Sequence, residues 1–137
     1  MKISQKLEYA CRALVQLARQ HDGKTLTRLE QLAKREAVSA NFLVQILNDL
    51  RRAGLIESRR GKSGGYLLAM APEEITLKLV VEAVDPSLLQ TSVSVEGESG
   101  GGVRQAWNGV SEALSNALEG TNISMIAQQS GGPMFYI

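Results

Sequence analysis

The chain is short of the residues that build redox, metal and nucleophilic chemistry. It has one cysteine, Cys11, and one histidine, His21, in 137 residues. A single cysteine excludes an intramolecular disulfide and every multi-cysteine metal site, and a lone imidazole cannot complete a ligand set. No run approaches the roughly 18 apolar residues needed to span a bilayer. The opening MKISQKLEYACRAL has neither the apolar core nor the small-residue cleavage site of a signal peptide. A cytosolic protein without membrane contact is therefore expected. No nucleophile–base pair or paired carboxylates fall on a plausible pocket, so the pattern speaks against an enzyme. The length suits one domain with an appended element, enough to bury a core without disulfides or metal.

What the chain does have is a divided charge. Residues 1–66 hold thirteen Lys/Arg against six Asp/Glu, a surplus of seven, whereas residues 67–137 hold two against eight. The net charge of +1 averages these opposite halves. A basic half points to an anionic partner, and nucleic acid is the usual one.

Apolar periodicity supplies the elements. Leu7, Ala10, Cys11, Leu14, Leu17 and Ala18 recur at steps of three and four, one face of a helix that Ser4 can cap and Gly23 can stop. In RLEQLAKREA a second, short helix runs to about Ala37, with Thr27 and Glu30 spaced as a capping box. A third begins at Ser39, buries Phe42, Leu43, Ile46, Leu47 and Leu50, and closes at Gly54. Two helices joined by so short a turn outline a helix-turn-helix. LIESRR and YLLAM then read as strands around GKSGG, whose glycines permit a tight hairpin, so the architecture predicted is a winged helix.

A further helix is expected from Pro72 to about Val84, then a polar, glycine-rich linker over 87–102. Beyond it Val103, Trp107, Val110, Leu114 and Ala117 alternate steps of four and three. A seam this apolar packs either on its own domain or on a second copy of the chain. A last short helix near Ile123 to Gln128 precedes an apolar tail. The expected organisation is a winged helix-turn-helix domain over 1–86, a flexible loop over 87–102, and a dimerisation helix with a tail over 103–137.

The stretch RRGKSGGYLLA, residues 59–69, is built to meet phosphate. GKS is also the tail of a nucleotide-binding G-x-x-x-x-G-K-S loop, but that loop needs glycine five residues before Gly61, where Ile56 stands. A nucleic-acid backbone is the better match.

ANFLVQILNDLRRAGLIESRRGKSGGYLLAMAPEEITLKLVVEAVD resembles the core signature of the Rrf-two family of bacterial winged-helix regulators. KLEYACRALVQLA and the late long helix extend the likeness over nearly the whole chain. The resemblance implies a homodimeric DNA-binding transcription regulator, with Ser39 to Arg52 as the recognition helix in the major groove, Arg59 to Tyr66 as the wing at the minor groove, and the long helix making the dimer. Many members hold an iron–sulfur cluster through three cysteines in the loop before that helix. This loop has none, so no cofactor is expected, and Met70 stands where the family often has arginine.

The side chains expected at DNA follow from these positions. Thr27 and Arg28 open the helix whose amide end commonly meets a phosphate. Ser39, Ala40, Asn41 and Gln45 start the recognition helix, where an amide can bond adenine in a bidentate manner, and Arg51 lies at its far end. Arg59, Arg60, Lys62, Ser63 and Gly64 form the wing tip, while Tyr66 either packs beneath the wing or bonds a phosphate. Cys11 reads as a small core hydrophobe and His21 as a solvated turn residue. The reading is a repressor on a near-palindromic operator, controlled by a small molecule or protein. The competing class is a winged-helix adaptor that binds protein.

Overall fold

Ser4 starts the first helix as its position suggests: its hydroxyl accepts the Leu7 N–H at 3.1 Å, opening α1 (Gln5–Arg19). In the computed structural model, which describes residues 1–129, α1 runs through the core and buries Leu7, Ala10, Ala13, Leu14 and Leu17. It ends earlier than Gly23, at Gln20. The Asp22 carboxylate competes for the chain there, accepting from the N–H groups of Lys24 at 2.8 Å and Thr25 at 2.6 Å. The Thr25 hydroxyl and these amides hold the Asp22 carboxyl down at about 2.

Helix α2 (Leu29–Arg35) begins one residue later than the Thr27–Glu30 box predicts. Arg28 takes the cap position, and its N–H donates to Gln31 Oε1 at 3.1 Å. Thr27 is drawn away because its backbone pairs with Tyr66, donating to Tyr66 O at 2.9 Å and accepting from Tyr66 N at 2.8 Å. Ala37, at φ 54°, turns the chain into α3 (Ala40–Arg52). Ser39 accepts the Phe42 N–H at 3.2 Å, and Gly54, at φ 82°, closes the helix in the left-handed conformation its sequence position implies.

Strands β1 (Ile56–Arg59) and β2 (Gly65–Leu68) pair antiparallel, with Ile56 opposite Leu68 and Arg59 opposite Gly65. Gly65 is where the hairpin meets α2: a Cβ there would lie 2.6 Å from Thr27 O. Gly65→Ala should therefore lift the hairpin from the helix-turn-helix and cost about 1–3 kcal/mol. An unchanged urea midpoint for that variant would contradict this docking.

The helix expected from Pro72 is divided. Pro72–Glu74 form a single 3₁₀ turn, and α4 (Leu77–Val84) starts afresh at Thr76, whose hydroxyl accepts the Leu79 N–H at 3.2 Å. The chain is extended between them because Ile75 and Leu77 bond the entry to the last helix, Ile123 N to Ile75 O at 2.9 Å and Leu77 N to Thr121 O at 2.8 Å. Ile75 is fully buried.

The stretch read as a linker contains a 3₁₀ turn at Pro86–Leu89, and its last three glycines already belong to α5 (Gly100–Glu119). The Ser111 hydroxyl donates to Leu89 O at 2.9 Å and ties that turn to α5. Helix α6 (Ile123–Gln129) lies against α1 and matches the expected short helix. The apolar tail lies outside the described residues. The result is a mainly helical winged helix-turn-helix with a long late helix.

Candidate nucleic-acid interface

Three elements converge on a cleft of about 420 Å³: the start of α2, the second half of α3 and the hairpin. Arg28, Arg51, Arg59 and Arg60 line it, with Tyr66 and Asn48 between them. The hairpin tip is tied to α2 by Arg28, whose Nη1 donates to Lys62 O at 3.3 Å. A wing held in this way presents its cations in a fixed relation to α3.

The cations differ in how they are engaged. Arg59 pairs with Glu57 at 3.4 Å and Arg28 with Glu30 at 3.8 Å, both at exposed sites. Such pairs contribute little and exchange readily for a phosphate. Arg51, Arg60 and Lys62 are exposed and have no carboxylate partner among the described residues. On α3 itself Asp49 is neutralised by Lys6 at 2.5 Å and Arg52 at 3.4 Å, which removes a repulsive charge from a face that would meet an anion.

Asn41 and Gln45 are exposed on α3, one turn apart. Asn48 follows at the next step of the same face and is half-buried in the cleft. Sequence reasoning passed over Asn48, although its spacing from Gln45 was the available signal. Side chains of this kind can hydrogen-bond base edges.

Several candidates serve the scaffold instead. Thr27 is 1% exposed. The Gln20 amide, oriented so that its oxygen accepts from Arg35 at 2.8 and 3.2 Å, donates to the Thr27 hydroxyl at 3.1 Å. The Thr27 side chain thus lies behind the surface, tied through Gln20 to the end of α1 and to α2, while its backbone pairs with the hairpin. Ser39 is occupied by its capping bond, and Ala40 packs on the core. Gly64 is required by the hairpin, since a Cβ would stand 2.4 Å from Arg59 O, whereas Ser63 is exposed at the tip. Tyr66 is half-buried and packs against the core while also bordering the cleft. His21 is exposed.

These features have counterparts in known proteins. The sequence model of the Rrf-two (Rrf2) family, described as an iron-dependent transcriptional regulator, matches residues 3–129. The chain belongs to the Rrf2 family. It is 31% identical to the HTH-type transcriptional regulator CymR of Bacillus subtilis, over 100% of both chains. It is 36% identical to the HTH-type transcriptional regulator IscR of Cereibacter sphaeroides, over 97% of this chain and 91% of that one. Among solved structures it superimposes on CymR, the global cysteine regulator of B. subtilis, with a TM-score of 0.82 at 29% identity, covering 95% of this chain and 98% of that one. T. potens IscR gives a TM-score of 0.74 at 27% identity, covering 99% and 97%. This Rrf2 chain is a DNA-binding transcription regulator, and its named relatives are regulators of transcription rather than enzymes.

The iron in the family description does not fit these residues. Cluster iron is held mainly by thiolates. Burial pushes the Cys11 thiol up to about 11, so the thiolate that binds metal is suppressed near neutral pH. Among the described residues no group of three or more His, Cys, Asp or Glu could hold a metal ion, and the stretch before α5 offers only Glu96 and Glu98. No helix of the described residues is long and apolar enough to cross a membrane. Protein purified without oxygen should be colourless. A brown preparation with near-stoichiometric iron and sulfide would refute this.

Proposed function

We propose that this chain acts as a homodimeric repressor that reads a near-palindromic operator without an iron–sulfur cluster. The observation that carries the reading is a cleft lined by Arg51 and Arg60, which have no carboxylate partner among the described residues, with the equally unpartnered Lys62 at the hairpin tip, beside the Asn41–Gln45–Asn48 face. In this reading α3 lies in the major groove, its amides select bases, and the hairpin cations hold the flanking backbone. Residues 1–86 make the DNA contacts, 87–102 connect, and 103–137 pair the protomers through Val103, Trp107, Val110 and Ala117. Repression is the proposed sign because an operator-bound dimer blocks polymerase by occupying its path. The effector is a small molecule or protein.

Genome-wide recovery of DNA fragments bound to the protein tests this. An enriched palindrome with half-sites about one helical turn apart is expected. Transcripts downstream of it should rise when the chain is deleted. Recovery without sequence enrichment would favour a protein-binding adaptor instead.

A further inference from the structure

A second cavity, of about 290 Å³, lies between α1, α6 and the turn that joins α2 to α3. Its walls carry opposite charges. Arg12 and Arg19 come from α1, and Glu36 comes from the end of α2. Val15 and Ile126 add apolar surface, and the Gln16 amide lies between.

The Glu36 carboxylate is only 14% exposed and is held by two groups: Gln16 Nε2 donates to Oε2, and Arg12 Nη1 lies 3.6 Å from Oε1. The contact with Arg12 is loose. Arg12 is held more closely by Glu8, at 2.7 Å, and its guanidinium stands 5.1 Å from the centre of the Tyr9 ring. Tyr9 in turn meets Phe42 edge-on, with centroids 6.1 Å apart and planes at 82°. Phe42 is in the first turn of α3, next to Asn41. One guanidinium therefore contacts Glu36 before the turn that sets the recognition helix and, through the Tyr9 ring, is linked to Phe42 after it.

We propose that this cavity binds a free α-amino acid and that occupancy changes the affinity for DNA. The ligand carboxylate takes Arg12, and its ammonium takes Glu36. A simple carboxylate inserted there would strip Glu36 of its cation and leave a largely buried charge uncompensated, which is costly. A zwitterion replaces both halves of the loose pair at once, with no change in net charge. Its side chain lies on Val15 and Ile126. Displacing Arg12 from Glu36 loosens the turn before α3 and shifts Tyr9 against Phe42. Only this regulatory half rests on the DNA-binding reading; binding to the cavity does not.

The test begins without DNA. The proteinogenic α-amino acids are titrated calorimetrically into the dimer at millimolar concentration, and each hit is compared with the matching acid that lacks the amine, such as L-leucine with 4-methylpentanoate. At least one amino acid should bind about tenfold or more tightly than its desamino partner. Glu36→Gln, which keeps the side-chain shape, should abolish that preference by weakening the amino acid and strengthening the desamino acid, which no longer strands a buried carboxylate. A merely structural Glu36 would not alter the ratio. Arg12→Lys should weaken both ligands. If no amino acid binds, or if the preference survives Glu36→Gln, the site is wrong. Bound amino acid should then change operator affinity by about 5- to 150-fold, and operator should change amino-acid affinity by the same factor. Binding without any effect on the operator would overturn the regulatory half alone.

Discussion

Val110→Glu combined with Trp107→Glu is expected to turn a dimer into a monomer. Val103, Trp107 and Val110 are 46%, 54% and 57% exposed on the first half of α5, an apolar face with no cover among the described residues. Buried aromatics at the centre of an interface typically contribute about 2 kcal/mol or more each. Two carboxylates placed there should raise the dissociation constant at least about a thousandfold. Because neither side chain supports the protomer, the circular dichroism spectrum and urea midpoint of the isolated fold should hardly move. Affinity for a palindromic operator should fall by about 10²–10⁴, the loss expected when two linked half-site contacts become independent. Sedimentation of parent and variant decides the matter. A monomeric parent, or a variant that still sediments as a dimer, would remove α5 as the interface.

Leu114 would have been the poorer choice for that experiment. In the sequence it continues the apolar seam, but it is half-buried and packs on the protomer's own core, as does Leu118 at 9% exposure. Helix α4 covers the second half of α5, where Lys78 also reaches Glu119 at 3.1 Å, and leaves the first half open. A single heptad-like pattern thus serves two different partners. Periodicity reports which residues share a face and is silent on where along the helix the cover stops.

The same division explains what else was legible. Ser4, Ser39 and Gly54 act through bonds to residues three or four positions away, so the local pattern was sufficient to assign them. The hairpin was equally local. Thr27 and Pro72 were misjudged because distant residues decide them. Tyr66 pulls Thr27 into a bridge, and Asn122 pairs with Thr76 to interrupt the helix that Pro72 begins. For the interface, the cations were legible from composition and the carboxylates that engage Arg28, Arg59 and Arg52 stand two or three positions away, whereas Lys6 reaches Asp49 from another helix, and Arg60 and Lys62 have no carboxylate partner among the described residues.

That distinction sets the second large effect. Arg60→Ala with Lys62→Ala removes two exposed cations per protomer that have no carboxylate to release, and so removes four from a dimer. Each neutralised phosphate contributes about −0.9 to the slope of log affinity against log salt. For a parent slope of about −5 to −9, the double variant should be shallower by about 3 to 4. At about 1 kcal/mol per lost contact, affinity near physiological salt should fall roughly a thousandfold, and equally on operator and unrelated DNA. Gln45→Ala should behave in the opposite way. Its slope should match the parent, while discrimination at one base position falls by about 1–3 kcal/mol. Fluorescence anisotropy across a salt series, on the recovered operator and on a scrambled duplex, separates these outcomes. If binding by the parent were indifferent to salt, the cleft would not be a phosphate-binding surface. If the Gln45 variant lost affinity evenly on both duplexes, α3 would be holding the backbone rather than reading the bases.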